Sequence, residues 1–282
     1  MRRTAETVGM AAQLACLLEA SAAKPGNVTP RHAFRDMNYG DFLRSAIAIG
    51  PAMAAAGSHS VGATILAAIE ATRRWTHANT NLGIVLLFAP LARAAQIGET
   101  DLRASVSHVL RELTVDDARL AYQAIRLAAP GGFETAAQHD IRDEPVVTLL
   151  EAMASAAERD SIAAEYANDF ALTFERGVPT LQRALARADS QEAAIVQTHL
   201  ELLAAVPDTL IARKRGMEQA RVVSTVATRV IEAGGVFTIA GRDAIAAFDE
   251  RLRDPRNQLN PGTTADLIAA TLFVALLEGI MR

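Results

Sequence analysis

A chain of 282 residues, half of them hydrophobic, has enough material for a sizeable buried core. Its formal charge of −4 and isoelectric point near 5.9 leave no basic stripe of the kind a nucleic acid needs, so no nucleic-acid partner is expected. The single cysteine, Cys16, excludes an internal disulfide and suits a reducing cytoplasm.

Apolar residues at three- and four-residue spacing predict a first helix over 4–23. Arg2 and Arg3 do not open an export signal there, because Glu6 and Glu19 interrupt the apolar run. The stretch AAKPGNVTPRHAFRDMNYGDF (22–42) then breaks the pattern with Lys24, Pro25 and Gly26, and gathers donors around Asp36. Helices are predicted over 39–56 and 61–76, the second opened by Ser60 as N-cap, with Gly57 closing the first. A polar interval, THANTNLG (76–83), leads into a helix over 80–95 that Gly98 follows. Further helices are read over 101–112, 115–128 with Thr114 as cap, 145–157, 161–174, 178–186 and 191–205 with Ser190 as cap. A third polar interval, VPDTLIARKRG (206–216), runs into a predicted helix over 209–233. The short run VFTIA (236–240) is the one strand candidate and supports no sheet. A helix over 242–252, the polar interval NQLNPGTTADL (257–267) and a last helix over 263–281 complete the chain.

No repeat or linker divides the sequence, and strand-like alternation is nearly absent. The expected fold is all-α: a single-domain multi-helix bundle over 1–282, with its site where helix ends and loops converge. The apolar runs at 83–92 and 267–277 fall short of the roughly 20 residues of a membrane span, so no membrane role is expected. A mean hydropathy of +0.15 points to apolar surface covered in a homodimer.

Of the 28 basic residues only Lys24 and Lys214 are lysines, and each sits in a polar interval, where a compact point charge suits a phosphate. Thr263 and Thr264 open a helix whose free amides can hold an anion. Asp266 there either serves that helix start or coordinates a phosphate-bound magnesium ion, and Asp36 and Asp208 pose the same choice between turn residue and catalyst. With Arg31, Arg213 and Arg215 nearby, the composition is that of a site for magnesium and a polyphosphate. His32 and His77 are candidate ligands or acids, whereas P-loop, dinucleotide-binding, HExxH and paired-cysteine signatures are missing.

Five pieces in order, EASAAKPGNV (19–28), RDMN with FLRS (35–38, 42–45), NTNLG (79–83), PDTLIARKRG (207–216) and NPGTTADL (260–267), resemble the triphosphoribosyl-dephospho-CoA synthase family. The resemblance implies an all-α cytoplasmic enzyme that uses ATP and Mg2+. Such an enzyme joins the triphosphoribosyl part of ATP to dephospho-CoA and releases adenine. It implies Lys24, Arg31, Arg213, Lys214, Arg215, Thr263 and Thr264 as triphosphate ligands. Asp208 and Asp266 would hold magnesium, Asp36 and Asp208 would be catalytic with Asp36 the base, and Asn79, Thr80 and Asn81 would orient ribose or adenine. Two departures stand out: Asn81-Leu82 where lyase-associated members have His-Lys, and Pro207-Asp208 where they have two aspartates. The NTNLG and NPGTTAD forms, with PGGFE (130–134) and AERD (157–160), are more similar to a divergent archaeal and methylotroph branch, which adds Glu134 and Asp160 as site candidates. That branch implies an alternative: an ATP-using transferase or ligase acting on a one-carbon-carrier precursor of the methanopterin or methanofuran type. A catalytically silent helical protein that binds such a cofactor or a partner is the third reading.

Overall fold

The computed structural model describes residues 3–98, 101–128 and 141–281. Among them no β-strand forms; a lone antiparallel bridge joins Thr29 and His32. The helices are α1 (Ala5–Ser21), α2 (Tyr39–Ala54), α3 (Val61–Arg73), α4 (Leu82–Ile97), α5 (Leu102–Arg111), α6 (Val115–Ala128) and α7 (Leu149–Ala156). They continue as α8 (Ser161–Ala167), α9 (Val178–Leu185), α10 (Gln191–Ala205), α11 (Thr209–Arg215), α12 (Met217–Glu232), α13 (Ile239–Leu252) and α14 (Gly262–Leu277). No single helix among them is long and apolar enough to cross a membrane.

The all-α expectation is met, and the departures have local causes. The helix expected over 209–233 is broken at Gly216, whose φ of 89° lies outside helical space. The break makes Arg213, Lys214 and Arg215 the last turn of α11. The helix expected over 161–174 stops at Asn168, after which Asp169 and Phe170 take left-handed backbone and a π-helical turn, Leu172–Gly177, leads into α9. VFTIA forms no strand: Gly235–Phe237 is a 3₁₀ turn, and Thr238 caps α13 by accepting from the Gly241 amide. Ser60 and Ser190 cap as expected, and Thr114 exchanges hydrogen bonds with Asp117. Gly98 ends α4 with extended rather than left-handed backbone, and a Cβ there would lie 2.1 Å from the Ser105 hydroxyl, so close approach selects the glycine.

Contacts divide the chain into two compact units, Met1–Leu17, Gly40–Ala171 and Phe273–Arg282 for one, Leu18–Tyr39 and Leu172–Leu272 for the other. In the first, α4 is buried along nearly its whole length, and Phe88 stacks on Phe273 at 4.4 Å between ring centres. Both prolines inside helices of this unit free a carbonyl four residues back, since proline has no N–H to donate. The Tyr166 hydroxyl donates to the Leu86 carbonyl released by Pro90 at 2.6 Å. The Gln13 amide donates to the Ile47 carbonyl released by Pro51 at 2.9 Å. In the second unit α12 packs on α10, α11 and α13.

Candidate functional site

The opening stretch lies in the second unit, and the Ser21 and Tyr39 hydroxyls, 2.8 Å apart, tie its ends together. Its first half is a helix terminus locked from inside. Lys24 is 0% exposed; its ammonium pairs with the Glu19 carboxylate at 2.9 Å and donates to the Glu19 and Ala22 carbonyls. It thus neutralises the carbonyl end of α1. Lys24, a phosphate ligand by expectation, here has its donors engaged and does not reach the surface. Its charge, after burial, helps hold the equally buried His199 well below the ordinary imidazole range, so His199 is neutral.

Gly26 and Asn27 are pinned to the end of α13. The Gly26 amide donates to Asp249 at 2.7 Å, Arg253 grips the same carboxylate through Nε and Nη2 at 2.7 Å each, and Nη2 also reaches the Asn27 carbonyl at 3.2 Å. Asn27 in turn donates to Asn260 at 2.7 Å. Gly26 is required here by its φ of 77° and by Leu252, whose Cβ would lie 2.9 Å from an added one.

Asp208 is a cap shared by two helices. Its Oδ1 accepts the Leu210 and Ile211 amides at the start of α11, and its Oδ2 accepts the Thr264 amide at 2.7 Å and hydroxyl at 2.8 Å at the start of α14. Burial, the largest influence, pushes this carboxyl up, against the four donors that pull it down. Asp208, expected as metal ligand or catalyst, and the Thr264 amide and hydroxyl, expected as anion donors, are here partnered with one another. Thr263 is buried too, and its hydroxyl accepts from Thr209 at 3.2 Å. Asp266 is half-buried one turn further into α14.

Two further basic residues, Lys214 and Arg215, reach one loop. Lys214 donates to the Asn257 carbonyl at 3.1 Å and Arg215 to the Gln258 side chain at 3.1 Å, which joins the end of α11 to the loop after α13. Asn257 presents that carbonyl from left-handed backbone, φ 51°. Partial burial and then the Arg213 charge lower the Lys214 ammonium from its ordinary value, while Asp208, Asp36 and Asp254 act to raise it. Asp36 and Arg31 are both exposed on the loop before α2. Beside this cluster lies a cavity of about 370 Å³ lined by His32, Phe34, Arg35, Arg253, Asp254 and Asn257, with Ala33 and Pro255 completing its wall. Asp254 lends it little free acceptor, because its oxygens take the Arg256, Gln258 and Leu259 amides at 2.9, 2.6 and 3.1 Å. Burial raises this carboxyl, yet those amides and Arg215 outweigh it and hold Asp254 below its ordinary value.

Asn79, Thr80 and Asn81 belong to the first unit. Thr80 is buried and shares a hydrogen bond with Ser45, which donates onward to the Asp41 carbonyl at 2.7 Å; Asn81 is buried and donates to Thr72 at 3.0 Å. Asn79 is exposed, and its side-chain oxygen accepts the Leu82 amide at 3.3 Å. Asp41, not singled out from the sequence, anchors this group by accepting from Thr76 at 3.1 Å and pairing with Arg44 at 3.2 Å. Asp160 caps α8 by accepting the Ile162 amide at 2.8 Å, and Glu134 lies outside the described residues.

The profile of the ATP:dephospho-CoA triphosphoribosyl transferase (CitG) family matches residues 5–282. The 2-(5''-triphosphoribosyl)-3'-dephosphocoenzyme-A synthase of Klebsiella pneumoniae is 32% identical over 102 residues, 36% of this chain and 36% of that protein. The "Probable 2-(5''-triphosphoribosyl)-3'-dephosphocoenzyme-A synthase" of Pseudomonas syringae pv. tomato is 34% identical over 101 residues, 36% of this chain and 34% of that one. The match thus spans about a third of the length of these curated relatives. A crystal structure of a "putative triphosphoribosyl-dephospho-coA synthase" from Archaeoglobus fulgidus is similar over 84% of this chain and 99% of that one, with 29% identity and a TM-score of 0.64.

Proposed function

Because the chain belongs to the ATP:dephospho-CoA triphosphoribosyl transferase family, we propose that it transfers the triphosphoribosyl group of ATP to dephospho-CoA and releases adenine. The observation that carries this reading is the neighbourhood of Lys214, where a helix end bearing three cations meets two loops beside a cavity. Arg213, Lys214, Arg215 and Arg31 hold the triphosphate. A hydroxyl oxygen of dephospho-CoA bonds to the anomeric carbon of the ATP ribose, the bond from that carbon to adenine breaks, and the hydroxyl proton passes to a base as adenine leaves with the bonding pair. Asp36, exposed and close enough for its charge to act on Lys214, is the base in this reading. Asn79, in the first unit, is the exposed member of its trio.

A magnesium ion arriving with the triphosphate would neutralise part of its charge. Magnesium bound to a nucleotide is commonly held by substrate oxygens with one or two carboxylates. Asp266 is the carboxylate left for that role. The family match runs across both compact units, which supports their acting as one domain. The reading places the reaction in the cytoplasm, and exposed Met10, Leu14 and Ile47 support a homodimer that sedimentation tests.

Purified protein incubated with ATP, magnesium and dephospho-CoA should release free adenine and one triphosphoribosyl product. A second reading, an ATP-using transferase or ligase for a one-carbon-carrier precursor, draws on Asn81-Leu82 and on the near whole-length likeness to the Archaeoglobus fulgidus protein. Formation of ADP, AMP or diphosphate without adenine selects that reading. No turnover with either acceptor selects the silent binding protein.

A further inference from the structure

The cavity beside Lys214 is lined by a guanidinium, that of Arg253. Arg253 follows the last turn of α13, and its Nε and Nη2 form a two-point fork on Asp249. Nη2 is further engaged by the Asn27 carbonyl, and Nη1 has no acceptor among the described residues. Asp249 is itself fixed from a second direction by the Gly26 amide at 2.7 Å. The guanidinium is therefore held at one edge with its remaining donors uncommitted, and Arg253 lines the cavity.

Arg35 adds a second positive charge to the lining. Arg35 and the His32 ring have no hydrogen-bond or ionic partner among the described residues, and both line the cavity. The one carboxylate on the wall, Asp254, has both oxygens engaged by backbone amides. The Asn257 carbonyl is engaged by Lys214. What remains free is a set of donors, which selects an anion. A volume of about 370 Å³ lies within the range of small-molecule sites, roughly 300–1,000 Å³. Arg253 keeps Nη1 for an anion, and Arg35 offers its whole planar guanidinium, whose fork matches phosphate oxygens better than a point charge does.

We propose that Arg253 and Arg35 bind a diphosphate esterified to adenosine in this cavity, and that Asp249 is the positioning residue that sets the Arg253 guanidinium. The proposal rests on the nucleotide-transfer reading and extends it to residues that reading does not use. ATP and dephospho-CoA both carry this group, so the experiment separates them.

ATP, dephospho-CoA and inorganic tripolyphosphate are titrated separately by calorimetry into the native protein and into Arg35→Gln, Arg253→Gln, Arg253→Lys and Asp249→Asn, with a thermal melt of each. Arg35 is exposed and unpartnered, so its variant keeps the fold. At least tenfold weaker binding of tripolyphosphate and of one nucleotide is expected for Arg35→Gln and Arg253→Gln. The nucleotide that weakens identifies the source. Arg253→Lys should lose less, and Asp249→Asn should weaken binding in the native background but not in Arg253→Gln. Unchanged affinity for all three probes in Arg35→Gln and Arg253→Gln overturns the proposal. Should the native protein bind tripolyphosphate through Arg253 but neither nucleotide, the anion subsite stands and the transfer reading falls. Binding of none of the three overturns both.

Discussion

Replacing Asp208 with alanine removes the acceptor of four donors at once, the Leu210, Ile211 and Thr264 amides and the Thr264 hydroxyl. Each buried donor left unsatisfied costs about 1–3 kcal/mol, so Asp208→Ala should lower unfolding stability by roughly 3 kcal/mol or more, read from urea titration. A melt unchanged from the native protein would show that Asp208 caps nothing. Lys24 makes a parallel case. Lys24→Met leaves the Glu19 carboxylate buried without its cation, and breaking such a pair costs about 3–5 kcal/mol. The double change Glu19→Leu with Lys24→Met should recover much of that loss, because an apolar pair carries no desolvation penalty. If Lys24→Met instead melts normally and only weakens ATP binding, Lys24 is a phosphate ligand after all.

At the scale of elements, each unit uses one buried aspartate to join the starts of two helices. Asp208 does so for α11 and α14, and Asp117 does so for α3 and α6 by accepting the Gly62 amide at 2.7 Å and the Thr114 amide and hydroxyl at 2.9 and 2.8 Å. Burial raises the Asp117 carboxyl, but these donors prevail and hold it below its ordinary 3.8. A carboxyl depressed on folding adds stability that is complete above the unfolded value and is lost as pH falls through the folded one. Between about pH 5 and pH 2 the urea midpoint should therefore fall less steeply in Asp117→Asn than in the native protein. Equal slopes would remove Asp117 from the acid limb. The freed carbonyls behind Pro51 and Pro90 obey the same rule of satisfaction, each taken by a side chain from another helix.

At the scale of the molecule, the second unit draws on two distant stretches, Leu18–Tyr39 and Leu172–Leu272. Gly26 bonds to Asp249 and Asn27 to Asn260 across more than two hundred residues of chain. A fragment of residues 172–282 therefore lacks the Gly26 amide that bonds Asp249 and the Asn27 side chain that bonds Asn260. It should melt without a sharp transition by circular dichroism, and adding a peptide of residues 1–40 should sharpen it. A cooperative melt of the fragment alone would show that the early stretch is dispensable to that unit.

The sequence by itself determined the helical class, most helix bounds and the caps at Ser60, Thr114 and Ser190, because periodicity and cap chemistry act over a few residues. Gly216 after a basic run was also a readable stop signal, masked by a continuous apolar pattern. Partnership was beyond its reach. Lys24, Asp208 and Thr264 have the composition of phosphate and metal ligands, yet their partners, Glu19 for the lysine and one another for the other two, already satisfy them. Nothing in the sequence marks Arg253, whose direction is set by Asp249 and the cavity. A side chain's type sets what it can bind, whereas only the folded chain decides which of its donors and acceptors are still free.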